Sequence, residues 1–171
     1  MHIFLTGFMG AGKSYTGRRL ASLLDVAFID LDERIEVTAG TTINTIFADQ
    51  GEQVFRQLEA DTLRSLQTEI PGVVATGGGA PCYHDNMDWM NANGTTVFLD
   101  PPLSILVQRL EAGRSHRPLL HTADELAAFV QNKLESRRSD YEKAKIHLRP
   151  TDPEADVARL LHAELVSTFL S

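Results

Sequence analysis

The chain has 171 residues, 43% of them apolar and 23% charged, which suits a globular protein able to bury one compact core. A formal net charge of −7 argues against non-specific nucleic-acid binding, which relies on basic surface, and no apolar run is long enough to span a bilayer. The single cysteine, Cys82, rules out an intrachain disulfide and fits a reducing cytoplasm, and Met1-His2-Ile3 enters a strand-like segment without a basic leader.

In chain order, β-branched runs predict strands at His2–Thr6, Val26–Asp30, Val73–Thr76, Thr95–Leu99 and Ile146–Leu148. Helical spacing lies between and after them. Residues 102–112 carry Leu103, Leu106, Val107 and Leu110, and 154–168 carry Val157, Leu160, Leu161 and Leu165, with Pro153 as a start signal. There is no internal repeat or linker. The alternation predicts an α/β protein with a parallel sheet. Gly7, Asp30 and Gly77 each fall at the carboxyl end of a predicted strand, the edge along which open parallel sheets bind ligands.

Gly7-Phe8-Met9-Gly10-Ala11-Gly12-Lys13-Ser14 matches the phosphate-loop pattern G-x-x-x-x-G-K-[ST] between a strand and a helix. Its backbone N–H groups and the following helix N-terminus suit phosphate oxygens, Lys13 suits the β- and γ-phosphates, and the Ser14 hydroxyl suits Mg²⁺. In Asp30-Leu31-Asp32 an extended backbone would put both carboxylates on one side, to divide metal holding from orienting a hydroxyl; the plainer reading is that one of them caps the next helix. Gly51-Glu52-Gln53-Val54-Phe55-Arg56 opens a helix in which Arg56 and Glu59 are neighbours, so the carboxylate can hold the guanidinium as a rigid fork for an anion. Gly77-Gly78-Gly79 permits close backbone approach to a ligand, and Cys82 just beyond reads as packing, since no histidine is paired with it. Gly113-Arg114-Ser115-His116-Arg117-Pro118-Leu119-Leu120 reads as a lid over phosphates. A guanine-reading Asn-Lys-x-Asp is lacking: Asn132-Lys133-Leu134-Glu135 sits in a helical pattern and ends in Glu. Together these features describe a kinase for a small, anionic, hydroxylated acceptor.

GFMGAGKS, DLD, GEQVFR with Glu59, TGGG, HRPLL and an arginine four before Tyr141 occur in the order and spacing of shikimate kinases, which the chain resembles over nearly its whole length. The resemblance implies a single domain over 1–171 with a nucleoside-monophosphate-kinase-like fold. Its five-stranded parallel sheet would be ordered 2-3-1-4-5, with an acceptor-binding segment at about 31–62 and a lid at about 112–123. It implies ATP-dependent phosphorylation of the 3-hydroxyl of shikimate, on the way to chorismate and aromatic amino acids, by a cytoplasmic monomer using Mg²⁺. By the same resemblance Gly10, Ala11, Gly12, Lys13, Ser14 and Tyr15 would bind the nucleotide, with Arg109 against adenine. Ser14 and Asp30 would hold the metal, Asp30 through water, and Asp32 would orient or deprotonate the attacked hydroxyl. Arg56 and Arg137 would clamp the carboxylate with Gly77, Gly78 and Gly79, beside an apolar wall of Phe47 and Phe55, and Arg117 would stabilise the moving phosphoryl group. Distance from Tyr141 places Arg138 outside the pocket. The chain departs from the family pattern at Ser139, often proline, at Tyr15, usually threonine, and in Arg149–Glu154, where some relatives carry a further basic residue. A kinase for another sugar acid such as gluconate is the alternative activity, and a non-catalytic nucleotide-binding scaffold the alternative class.

Overall fold

The runs that read as strands pair into one sheet whose inner strands are largely buried on both faces, as parallel strands covered by helices must be, while the edge runs leave Ala27 and His147 exposed. The computed structural model describes residues 1–113 and 123–170; Arg117 and the rest of the lid motif from Arg114 onward lie outside the described residues. The strands are β1 (His2–Thr6), β2 (Ala27–Asp30), β3 (Gly72–Ala75), β4 (Gly94–Leu99) and β5 (Ile146–Leu148). They lie parallel in the order β2-β3-β1-β4-β5, the order the resemblance implies. All residues of β3 and β4 are buried, and Phe4 and Leu5 of the central β1 exclude solvent completely.

The helices among the described residues are α1 (Lys13–Leu24), α2 (Leu31–Ala39), α3 (Ile43–Gln50), α4 (Glu52–Ser65), α5 (Asn86–Asn93), α6 (Leu103–Ala112), α7 (Ala123–Tyr141) and α8 (Val157–Leu170). One apolar core joins the sheet to α1, α4, α7 and α8 through Leu20, Leu63, Val130 and Leu161. None of these helices is long and apolar enough to cross a membrane. Asn132–Glu135 is helical within α7, as read from the sequence.

Two helix starts differ from expectation. The extended backbone does not continue through Asp32: β2 stops at Asp30, and α2 begins at Leu31 with Asp30 as its cap, Oδ1 accepting from the Asp32 N–H at 3.2 Å. The capping role thus falls to Asp30, and a helical turn rather than strand alternation sets Asp32 beside it. Pro153 does not start α8 either. Asp152 first makes a turn, accepting the Glu154 N–H at its side chain (2.9 Å) and the Ala155 N–H at its carbonyl (3.2 Å). Asp156 then takes the cap position by accepting the Arg159 N–H at 3.2 Å.

Candidate active site

Gly12 ends the phosphate loop and caps α1 with φ 93°, a left-handed conformation that a side chain would strain. That turn sets Lys13 and Ser14 at the mouth of a cleft of about 600 Å³ at the carboxyl edge of the sheet. Gly10, Tyr15, Asp30, Asp32, Gly77, Gly78 and Arg109 line the same cleft. Lys13 Nζ donates to the carbonyls of Gly7 (2.8 Å) and Phe8 (3.0 Å). Burial lowers the Lys13 pKa to about 8, against the pull of Asp32 and Asp30 and with the help of Arg137. Arg109 of α6 donates from Nη1 to the carbonyls of Gly10 (3.2 Å) and Ala11 (3.3 Å), so its guanidinium lies on the loop. Tyr15 is 69% exposed and carries Arg19 over its ring at 5.6 Å.

Ser14 Oγ donates to Asp30 Oδ2 at 2.7 Å, which brings the hydroxyl and the carboxylate together as hard oxygen donors of the kind Mg²⁺ takes. Beside them Asp32 has no partner for Oδ1, although that atom is buried. Burial first, and then the neighbouring Asp30, push the Asp32 pKa up, with Lys13 opposing. Glu59 Oε1 is the other buried side-chain atom without a partner among the described residues. Both free oxygens face Gly77: a Cβ there would meet Glu59 Oε1 at 2.8 Å and Asp32 Oδ1 at 3.0 Å. Buried acceptors of this kind are costly unless something donates to them.

Arg56 is buried between carboxylates. Nη1 donates to Glu59 Oε2 at 2.8 Å, while Nε and Nη2 donate to Glu52 Oε1 at 3.2 and 3.1 Å. Burial opposes its charge, but the two carboxylates more than offset this and its pKa is raised. Tyr83 faces the guanidinium at 4.2 Å from ring centroid to Cζ and donates its hydroxyl to Glu52 at 3.2 Å. A Cβ on Gly79 would fall 2.6 Å from Arg56 Nη2, so only glycine leaves room for the fork. The ring centroids of Phe47 and Phe55 lie 4.7 Å apart next to it. Arg137 approaches from α7, 5.9 Å from the Phe8 ring centroid and 3.8 Å from where a Gly78 Cβ would stand. Tyr141 OH donates to the Gly78 carbonyl at 2.5 Å.

Arg138 points elsewhere, forming a two-bond pair with Asp100. Burial pushes the Cys82 thiol up to about 11, which leaves it protonated and a poor nucleophile. The phosphate loop, Asp30, Asp32, Arg56, Gly77–Gly79, Arg109 and Arg137 therefore meet at one edge of the sheet, while Arg117 lies outside the described residues. Glu52, Tyr83 and Tyr141 were not singled out as site residues. The spacing of Glu52 to Arg56, four residues along a helix, was a usable signal; the contacts of Tyr83 and Tyr141 span distant segments and left none.

The family model for shikimate kinase matches residues 9–169. A curated shikimate kinase from Parabacteroides distasonis is 44% identical over 146 residues, which are 84% of this chain and 84% of that protein. The crystal structure of shikimate kinase from Bacteroides thetaiotaomicron superposes with a TM-score of 0.88 at 38% identity, covering 99% of this chain and 98% of that one. Shikimate kinase from Acinetobacter baumannii in complex with shikimate also gives a TM-score of 0.88, at 34% identity over 99% of this chain and 95% of that one.

Proposed function

The chain belongs to the shikimate kinase family, and on that footing we propose that the crevice transfers the γ-phosphoryl group of ATP to the 3-hydroxyl of shikimate. What carries the reading is the meeting, around the Gly77–Gly79 turn at one edge of the sheet, of a phosphate loop, a buried carboxylate oxygen without a donor and an arginine fork held by glutamates. The loop and Lys13 hold the phosphates of the nucleotide, with Arg109 against adenine and Tyr15 at the rim. Asp32 Oδ1 accepts the hydrogen bond of the attacking hydroxyl, and its raised pKa suits it to take the proton as the new O–P bond forms and ADP leaves. Arg56 and Arg137 hold the ring carboxylate, with the backbone of Gly77, Gly78 and Gly79 against the ring. Arg117 supplies charge to the moving phosphoryl group.

Mg²⁺ carried in with ATP would be held by Ser14 and Asp30, whose oxygens fit a hard cation. Its chemistry is the neutralisation of charge on the β- and γ-phosphates. The protein acts in the cytoplasm as a monomer, its residues forming a single domain around one core, with 31–62 as the acceptor-binding segment and 112–123 as the lid. Support for the compartment is the lone Cys82.

A coupled ADP-release assay with shikimate, gluconate, quinate and nucleoside monophosphates tests the reading. Turnover should be confined to shikimate, with at most slow use of quinate. Faster turnover of gluconate or of a nucleoside monophosphate overturns it.

A further inference from the structure

A second cleft, of about 550 Å³, opens beyond the carboxyl ends of β4 and β5 and shares no lining residue with the phosphate-loop cleft. Asp100, directly after β4, lines it with a side chain only 8% exposed. Arg138 grips this carboxylate with two bonds, Nη1 to Oδ2 at 3.0 Å and Nη2 to Oδ1 at 3.2 Å. Arg149, the first residue after β5, adds Nε at 3.1 Å from Oδ2. The Asp100 N–H in turn donates to the Leu148 carbonyl at 2.9 Å, so the carboxylate is anchored to the end of the sheet.

Arg138 is the immediate neighbour of Arg137, and four residues on Tyr141 fixes the same helix to Gly78. The Tyr141 ring packs on Phe98 with centroids 5.0 Å apart, and the Arg138 guanidinium lies 5.9 Å from the centroid of the Phe98 ring. The end of α7 is thus pinned at two points that follow directly on Arg137: Arg138 on Asp100 and Tyr141 on the glycine turn. Arg138 also has a competing partner in Glu142, the first residue past its own helix, at 3.6 Å, a pairing that ties the end of α7 to no other element.

We propose that Asp100 and Arg138 are positioning residues for the acceptor site: their two-bond pair fixes the rotation of the end of α7 and so aims Arg137 at the acceptor's carboxylate. The proposal rests on Arg137 being part of that clamp. Asn at 100 keeps the shape but turns one acceptor into a donor facing two guanidiniums, which frees Arg138 to pair with Glu142 instead.

Steady-state kinetics and calorimetric titration of shikimate test this in four variants. Asp100→Asn and Arg138→Gln should each raise the shikimate KM and Kd about three- to fivefold, a loss smaller than removing the clamp itself. The KM for ATP should stay within about twofold and kcat within about threefold, the pattern of lost ground-state binding. Arg138→Lys, which keeps the charge but not the fork, should fall between wild type and Arg138→Gln. Arg138→Gln, at a half-exposed position, keeps the test open if Asp100→Asn folds poorly. An unchanged shikimate KM, or equal rises for both substrates alongside a lower Tm, overturns the proposal, because the pair would then only hold the fold together. Arg137→Ala separates the two readings. If it retains wild-type affinity the clamp assignment itself fails; if it loses affinity and Asp100→Asn does not, only the positioning role fails.

Discussion

Replacing Gly79 with alanine adds one methyl group and removes no charge, yet it should disable the acceptor clamp. The new Cβ would stand 2.6 Å from Arg56 Nη2, 2.7 Å from Nη1 and 2.9 Å from Cζ. Ordinary separation of such atoms is about 3.5 Å, so the guanidinium must retreat by about 1 Å. The obstacle is the far end of a flexible side chain, so Arg56 rather than the backbone should move. A retreat of that size exceeds what the 2.8 Å bond to Glu59 and the 3.1–3.2 Å bonds to Glu52 can absorb as hydrogen bonds. Glu59 is fully buried and already has one free oxygen, so weakening its remaining partner should cost stability about 1–3 kcal/mol. Displacing one charge-assisted arm of the clamp should weaken shikimate binding at least about tenfold, the equivalent of about 1.4 kcal/mol. Affinity for an ATP analogue should stay within about twofold, since Arg56 does not line the phosphate-loop cleft. Calorimetric titration with each ligand, paired with chemical denaturation, reads both effects. A folded Gly79→Ala protein that binds shikimate with wild-type affinity would refute the argument, because the fork would then tolerate displacement.

Further outcomes follow from the phosphate end of the crevice. Lys13→Ala should remain folded but lose phosphoryl transfer by about 10²-fold or more in an ADP-release assay, since charge stabilisation does most of the work. Arg117→Ala should lower kcat far more than it raises the shikimate KM; a rise in KM alone would make Arg117 a substrate clamp. With Lys13 near pKa 8, kcat/KM for ATP should fall as pH climbs through about 8 and the ammonium is lost. Stability moves the other way. Between about 8 and the unfolded value of 10.5 the unfolded chain binds more protons at this lysine than the native one, so its contribution rises with pH. Lys13→Met should abolish that rise in denaturation midpoints across the window.

Much of this was legible because it is local or periodic. The strand His2–Thr6 matches residue for residue, since a buried parallel strand is a near-continuous apolar run between turn signals, and the edge strand Ile146–Leu148 matches as well although His147 is exposed. The phosphate loop was readable for the same reason: its chemistry is written in contiguous residues. What the pattern missed was decided by competing short-range bonds. Asp30 could end a strand or cap a helix, and its bond to the Asp32 N–H settled the matter. Pro153 carried a start signal that the Asp152 turn and the Asp156 cap overrode. The choice between Arg137 and Arg138 came from family spacing; the geometric reason, Asp100, sits 38 residues before Arg138. Likewise, no local pattern announces that Tyr141 will meet Gly78, 63 residues away.

The strand order has a consequence for how the protein is made. β1 leaves the ribosome before the strands that flank it, β3 and β4, so Phe4 and Leu5 wait for residues 74–75 and 96–97 before both edges are paired. The phosphate loop waits with it, since the position of a Gly7 Cβ lies 2.5 Å from the Leu99 carbonyl, in the tail of β4. Nearly a hundred residues must therefore be synthesised before the ATP-binding turn can be braced on both sides. Such distant pairing slows folding and leaves an apolar N-terminal strand uncovered on the nascent chain. The earliest-encoded part of the active site is thus among the last to take shape, since it is complete only once β4 has emerged.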